Sequence, residues 1–475
     1  LPLNYELDIN SNMSRQLIAS DSMFTSNGIM DIRSLNDEFL FLGTNDGLSF
    51  IDLLSNDDFQ YGHPISINFP KGGNPSLSIK DDMIVFSGVI DTLIHGSSEV
   101  KGTGLAYSRD GGESWFFLSQ PIDSIPEEEM DGFQTISWGG QDILSLSVTT
   151  DINNVSYDIA IDDKYIYSAN WAGGVRRYNY LPVMDEIKKS WEIIPLPRDE
   201  DIDLHCGGIN TTEYSVNPKD PSDGGNHNHK GFSVYVVEDT IWVGTAAGIN
   251  KGIISNDNCI NWVRHYQSGL DEISGNWVIG FANQQLNGFN RFWAITWATE
   301  YPETNALSYT ENGGLTWNIS NPLGNDVGKV YDLHTQGDFI WASTEKGLYF
   351  SNNGHYWEKY NQFVDAITGE KILSESVFSS YFLETLETLF IGTGDGLAII
   401  DETTESTSII RFWEASNPFS AYPNPFLIND YNQINDDGHV RFIFSNPNHH
   451  DGKIDIYDFS MDRVIQLNDS QLIGT

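Results

Sequence analysis

Three observations in the sequence predict an all-β chain built as a ring of repeated sheets. One short phrase recurs along most of the chain, and a second phrase of tight-turn residues follows several of its copies. Between them, apolar residues alternate with period two, and the 3.6-residue period of a helix is absent.

The first phrase is an aromatic or aliphatic pair, a small residue, a Thr-like residue, a gap, then Gly and an aliphatic residue. It reads Phe41-Leu42-Gly43-Thr44 before Gly47-Leu48, and Trp242-Val243-Gly244-Thr245 before Gly248-Ile249. It returns as Trp341-Ala342-Ser343-Thr344 before Gly347-Leu348 and as Phe390-Ile391-Gly392-Thr393 before Gly396-Leu397. Weaker copies end at Gly88, Asn170 and Thr296. The last three intervals between Thr-slot positions, 51, 48 and 49 residues, have the size of a propeller blade. In such a blade the inner strand precedes the phrase and the second strand carries it. The third strand starts at the Gly, and the fourth starts at a following Trp. Seven copies therefore predict a seven-bladed β-propeller over residues 25–412, preceded by an N-terminal segment, 1–24.

The second phrase, Ser-x-Asp-x-Gly-x-Ser/Thr-Trp, is complete at Ser108, Asp110, Gly112 and Trp115. Thr310 to Trp317 repeats it with Asn312 in the Asp slot and Gly314 in place, and Ser255 to Trp262 keeps Asp257 with Cys259 in the Gly slot. A degenerate copy, Phe350 to Trp357, keeps Asn352, Gly354 and Trp357. A short Asp or Asn side chain bonds backbone amides inside a tight turn, Gly supplies positive φ, and the Trp staples the turn to the next strand. The Gly-Thr…Gly-Leu phrases resemble the repeat of two-component-regulator propellers, and these turns resemble the Asp boxes of sialidase-type and sortilin-type propellers. The resemblance covers about residues 25–412. It implies an architecture more than an activity, because such rings host many functions, and it implies structural roles for the Asp-box residues.

The end of the chain carries a different signature: Tyr422-Pro423-Asn424-Pro425-Phe426, then Ile456-Tyr457-Asp458, then Asp462-Arg463. Residues 417–475 resemble part of the immunoglobulin-like C-terminal domain of bacterial type IX secretion cargo. Asp462 stands where that family usually has Gly, and the second half of the family's domain is not matched. The expectation is a partial C-terminal β-sandwich segment. The resemblance implies export by the type IX machinery, to the extracellular space or the outer surface of a Gram-negative cell. The opening Leu1-Pro2-Leu3-Asn4, without a leader, reads as a trimmed form.

Composition narrows the partners. There are 67 acidic residues against 25 basic ones, for a net charge of −42. The acids are near ordinary usage, whereas the bases are about half of it. Such a field repels phosphate backbones and anionic lipid, so nucleic acid is excluded as a partner, and no apolar run is long enough to span a membrane.

Function is expected where the spacing breaks. Intervals of 82 and 75 residues separate Gly88, Asn170 and Thr245. They hold insertions after Gly88 through His95, from Gln120 to Asn154 with Glu127-Glu128-Glu129, and from Arg198 to Lys230; blade 5 adds Trp297 to Asn305. All are expected on the top face of blades 2–5, as a binding rim. Trp171, Trp297 and Tyr301 follow second strands there and suit a glycan or an extracellular protein ligand. His205, His227 and His229, near carboxylates, suit a divalent metal or a hydrogen-bonded loop. Asp430 to Gly438 is oxygen-rich enough for calcium but lacks the EF-hand spacing, so a polar turn is the competing reading. Cys206 in a top loop and Cys259 in a lower turn are expected as two free thiols.

The arginine triad of sialidase chemistry finds no counterpart in this sequence. Asp91, Asp203 and Glu300 are the rim acids a glycoside hydrolase or lyase would draw on. The sequence therefore reads first as a secreted or cell-surface binding or assembly propeller, and second as a polysaccharide-active enzyme using the same face.

Overall fold

The computed structural model describes residues 24–411, apart from 55–58, 95, 124–131, 151, 153, 182–189, 256, 258, 267–272, 300 and 321–326, and then 419–422, 433–434, 437–438, 440–444, 453–458 and 460–468. Residues 1–23, His95, Glu127 to Glu129, Glu300 and most of the Tyr422–Phe426 and Asp430–Gly438 motifs lie outside the described residues.

The chain is a β-propeller. Among the described residues of the ring, seven antiparallel sheets follow one another along the sequence, six of four strands in chain order and one of five, four of them in chain order with an earlier segment added at the outer edge. Their inner strands are Ile29–Leu35, Leu77–Lys80, Ser156–Ile161, Gly231–Val237, Trp277–Leu286, Val330–Gln336 and Val377–Leu383. Each inner strand packs against the next, and Val377–Leu383 returns to Ile29–Leu35. The buried apolar side chains fall into seven clusters, one between each pair of neighbouring blades. The seam between blades 7 and 1 is closed by packing and hydrogen bonding: Phe24 and Ile29 sit with Phe390 and Leu397, and Gly396 N donates to Asn27 O at 2.8 Å.

The recurring phrase has a local cause. The Thr hydroxyl donates to the carbonyl of the Gly three residues on: Thr44 to Gly47 and Thr393 to Gly396 at 2.8 Å, Thr245 to Gly248 at 3.1 Å. It also accepts from a backbone N–H inside the turn. That Gly adopts φ near +95° to +122°, a region costly for any side chain. The Gly before the Thr answers a different need: a Cβ on Gly244 would lie 2.3 Å from Val278 O of the next blade.

On the opposite face the Ser108–Trp115 and Thr310–Trp317 turns hold their own backbone. Ser108 Oγ donates to Asp110, Gly112 N donates to Ser108 Oγ at 2.8 Å, and Trp115 Nε1 donates to Gly112 O at 3.0 Å. Asn312 accepts from Thr316 N at 3.0 Å in the same way. In blade 6 the slot moves by one: Asn353, not Asn352, accepts from His355 N and Tyr356 N. The degenerate turn is one residue shorter before its Trp.

The insertions depart from the expected rim. Phe133–Trp138 and Gln141–Leu146 form a hairpin, and Leu144–Ser145 pairs in parallel with Ser215–Val216 of the later insertion. Asp123 pins the base of this layer: Val148 N and Thr149 N donate to it, and Arg176 of blade 3 pairs with it at 2.9 Å. Asp203–Leu204 then pairs with Val263–Trp262 as a fifth strand on the outside of blade 4. The segment thus descends the flank of the ring. This brings Cys206 to Cys259, which form a disulfide with Cα atoms 5.9 Å apart. The expectation of two free thiols is corrected, because an outer fifth strand carries Cys206 away from the top face.

Beyond the ring, the described pieces of 417–475 form three two-stranded sheets, including Phe419–Tyr422 with Arg441–Phe444 and Lys453–Tyr457 with Arg463–Asn468. No helix among the described residues is long and apolar enough to cross a membrane.

Candidate functional site at the mouth of the central channel

Inner strands begin on the top face, where their first residue pairs with the end of the second strand. Six of the seven carry a bulge at this point, which leaves Met30, Tyr157, Phe232, Ile279, Tyr331 and Phe378 outside the regular ladder. A bulge re-aims a side chain and twists the strand. Repeated around a ring, it produces a collar at the mouth of the channel.

Four of those six residues are aromatic, and three tryptophans extend them into an arc over blades 3–7. Phe232 lies 5.1 Å from Trp171 and 5.2 Å from Trp277, centroid to centroid, and 6.3 Å from Tyr157. Trp277 is the cross-strand partner of Trp297, which lies 6.2 Å from Tyr331; Tyr331 is 5.4 Å from Phe378. Tyr157 is 41% exposed, Trp171, Phe232, Trp277, Trp297 and Tyr331 are half-buried, and Phe378 is buried. Two lysines lie over the arc, Lys230 at 5.0 Å from the Trp171 ring and Lys329 at 4.4 Å from the Trp297 ring. Trp297 Nε1 donates to Val330 O at 2.8 Å, so its ring is held in place.

Beneath the collar runs a cavity of ≈ 580 Å³ along the ring axis. Its wall holds Arg33, 3.0 Å from Asp31 and 3.8 Å from Asp332, together with Asp158 and His334. Burial pushes the Asp31 carboxyl up to about 6 against the pull of Arg33. Burial also pushes Asp158 up to about 7, although Val234 N and Ile159 N both donate to it. Perturbed carboxyls in a cleft mark candidate functional positions.

Of the residues singled out in the sequence, Trp171 and Trp297 belong to the arc. Tyr301, 97% exposed, stands at the tip of the blade 5 loop. The three histidines are not brought together. His229 is buried, with Nδ1 accepting from Asn217 N at 2.9 Å and Nε2 facing Leu196 O at 3.0 Å; burial also pulls its pKa down. Both ring nitrogens are spent on the protein, which corrects its reading as a metal ligand. His227 faces Asp220 at 3.3 Å, and its backbone N–H is held by Asp199. His205 is exposed on the flank, 3.9 Å from Asp203. Among the described residues no three His, Cys, Asp or Glu side chains are grouped to hold a metal. Asp203 lies on the outer strand of blade 4 and Asp91 on the hairpin projecting from blade 2, so neither sits at the collar.

Sequence reasoning missed Tyr157, Phe232, Trp277, Tyr331 and Phe378. Their shared signal was available: each falls at or within a residue of the start of an inner strand, and Tyr157, Phe232, Tyr331 and Phe378 stand 13 to 15 residues before a Thr-slot position.

In sequence, no protein-family model and no curated protein matches the chain. In structure it is similar to YCF48 bound to a D1 peptide (13% identity, TM-score 0.41, 79% of this chain and 94% of that one). It is also similar to the WD40 β-propeller domain of Doa1 (11%, 0.41, 82% and 98%) and to an ancestral GH74 enzyme (13%, 0.45, 83% of this chain and 48% of that one).

Proposed function

We propose that this chain is a non-catalytic binding or assembly propeller whose ligand, a glycan or an extracellular protein segment, meets the aromatic arc at the top mouth of the ring. The arc carries this reading: a contiguous, half-exposed set of rings on a rigid scaffold is the surface that sugar faces and apolar side chains recognise. It moves the centre of the expected rim from blades 2–5 towards blades 3–7. The disulfide supports an oxidising, extracytoplasmic compartment, in keeping with the secretion-type signature of the tail and with a surface poor in bases. Buried arginines sharpen that surface, since Arg176, Arg177, Arg264 and Arg411 are all under 7% exposed.

Glycan and peptide arrays probed with the whole chain, alongside assays for reducing-end release, test the proposal. Binding without turnover that weakens at least about thirtyfold in Trp171→Ala or Tyr157→Ala is expected. Turnover, or binding indifferent to both substitutions, would overturn it. Export is tested separately: a fluorescent cargo fused to the complete native tail should leave cells that have a type IX system, and retention in the periplasm counts against it.

A further inference from the structure

Blade 2 carries a projecting arm. Its second and third strands, Met83–Ile94 and Ser97–Ser108, run twelve residues each, twice the length of their counterparts in blade 1, Phe39–Thr44 and Gly47–Asp52. The inner strand does not follow them. Contact on that side ends at a bridge between Gly73 and Val89, where Val89 N donates to Gly73 O at 2.9 Å. Above it, Val89–Ile94 pairs with Ser97–Gly102 alone. Backbone groups alternate sides along a strand, so the direction of the Val89 N–H fixes those beyond it. Ile90, Thr92 and Ile94 face Lys101, Glu99 and Ser97 in the ladder, whereas Asp91 and Leu93 turn their N–H and C=O to the side of the inner strand, which is the axial side of the blade. Among the described residues nothing bonds these four groups. Elsewhere the ring closes such edges. Ala366 N and the Asp365 carboxylate meet Thr407 O and Ile409 N on the outer strand of blade 7, and Asp203–Leu204 covers the outer strand of blade 4. The side chains of the arm point the same way. Leu93 is 78% exposed on the face it shares with Asp91 and Val100, and neither Pro nor Lys guards Val89–Ile94. An open strand edge of this kind is a template for pairing with another chain.

We propose that the inner edge of this arm takes an extended polypeptide segment of a protein partner as an added strand, with a basic residue opposite Asp91 and an apolar residue opposite Leu93. This rests on the binding reading above and selects a protein over a glycan as the ligand. Strand addition draws its affinity from main-chain hydrogen bonds and its specificity from alternate side chains. A glycan lacks the paired N–H and C=O groups at strand spacing that such an edge matches. Cross-strand pairs of opposite charge and of apolar side chains each add to the pairing. The net charge of −42 draws a basic segment in and repels a second copy of the chain. Blade 3, which supplies Tyr157 and Trp171 to the aromatic arc, packs directly against blade 2.

An array of heptapeptides that alternate Lys or Arg with Val, Ile or Leu, screened with the whole chain, supplies the probe. Its strongest binder is remade with N-methyl groups on one or the other alternate set of residues. One set should lose about tenfold or more in affinity and the other little, because only one set turns its N–H groups to the arm. In the protein, Leu93→Pro removes an N–H that the ladder does not use and should weaken the unmethylated peptide about tenfold or more. Val100→Pro, on the outer edge of the arm, should leave the affinity unchanged. The methylated peptides carry the test in the wild-type chain if a proline variant fails to fold. No peptide binding, equal effects of the two methylated sets, a folded Leu93→Pro with unchanged affinity, or an equal loss in Val100→Pro overturns the proposal. A dimer in light scattering that Leu93→Pro dissolves also overturns it, by assigning the edge to a second copy. Glycan binding that Tyr157→Ala abolishes and Leu93→Pro spares would overturn this inference while leaving the binding-propeller reading intact.

Discussion

Removing the Cys206–Cys259 disulfide should destabilise the chain by an amount set by the loop it closes. The two cysteines are 53 residues apart. Closing a loop of that length removes unfolded-chain entropy equivalent to about 4 kcal/mol at 25 °C. Unfolding entropy of about 2.1 cal/mol/K per residue, taken over the ring, turns this into a fall in Tm of ~5 °C for the Cys206→Ser, Cys259→Ser double variant. The flank layer should loosen first. Gly139 approaches the two sulfurs so closely that a Cβ there would lie 2.5 Å from Cys206 Sγ, so the hairpin tip depends on the bridge for its seat. Differential scanning calorimetry with and without reductant, and limited proteolysis across residues 198–230, provide the readouts. Two titratable thiols in unreduced, denatured protein would refute the fifth-strand placement. An unchanged Tm in the double variant would refute the loop argument.

Three other outcomes follow from buried groups. Arg176→Met leaves Asp123 buried without its cation and should cost about 3–5 kcal/mol, partly recovered by adding Asp123→Asn; urea titration checks both. Burial pushes Asp123 up, but Arg176 and the Thr149 bonds outweigh it and hold its pKa below the usual value, so its stabilising share is present at neutral pH and is lost as pH falls through that depressed pKa. Asp158 behaves oppositely. The folded state holds its proton up to about pH 7 against 3.8 in the unfolded chain, so stability falls by on the order of 4 kcal/mol as pH rises through that window. The wild-type minus Asp158→Asn difference in urea midpoint should show that slope, and a flat difference would contradict it. Gly392→Ala places a Cβ 2.7 Å from Ile29 O at the seam between blades 7 and 1. It should cost about 1–3 kcal/mol, read as a lowered urea midpoint.

The ring was legible in the sequence because its signals are local. A Thr hydroxyl bonded to a Gly three residues on, and a Ser-Asp-Gly turn capped by Trp, each leave a fixed spacing, and their repetition gives the blade count. The shift from Asn352 to Asn353 shows the limit of that reasoning, since a turn shortened by one residue keeps its composition and changes which side chain bonds. The flank layer was not legible. Leu144 pairs with Ser215 and Leu204 with Trp262 across long stretches of chain, and no local pattern encodes such pairing. The disulfide went unseen for the same reason. At the site, Trp171 and Trp297 stood out as tryptophans after second strands. Tyr157, Phe232, Tyr331 and Phe378 share a place at the start of an inner strand, and the bulge there turns each of them out of its ladder. In the histidine-rich run the hydrogen-bonded-loop alternative describes His229 and its neighbours, whose ring nitrogens and backbone are consumed locally by Asn217, Leu196 and Asp199.

The most direct measurement is the affinity of the whole chain for the strongest array ligand, compared between wild type and Tyr157→Ala with the melting temperature monitored in parallel. Loss of binding by about thirtyfold or more with an unchanged melting temperature is the predicted result. Equal affinity in the two proteins would contradict a ligand site at the aromatic mouth of the ring.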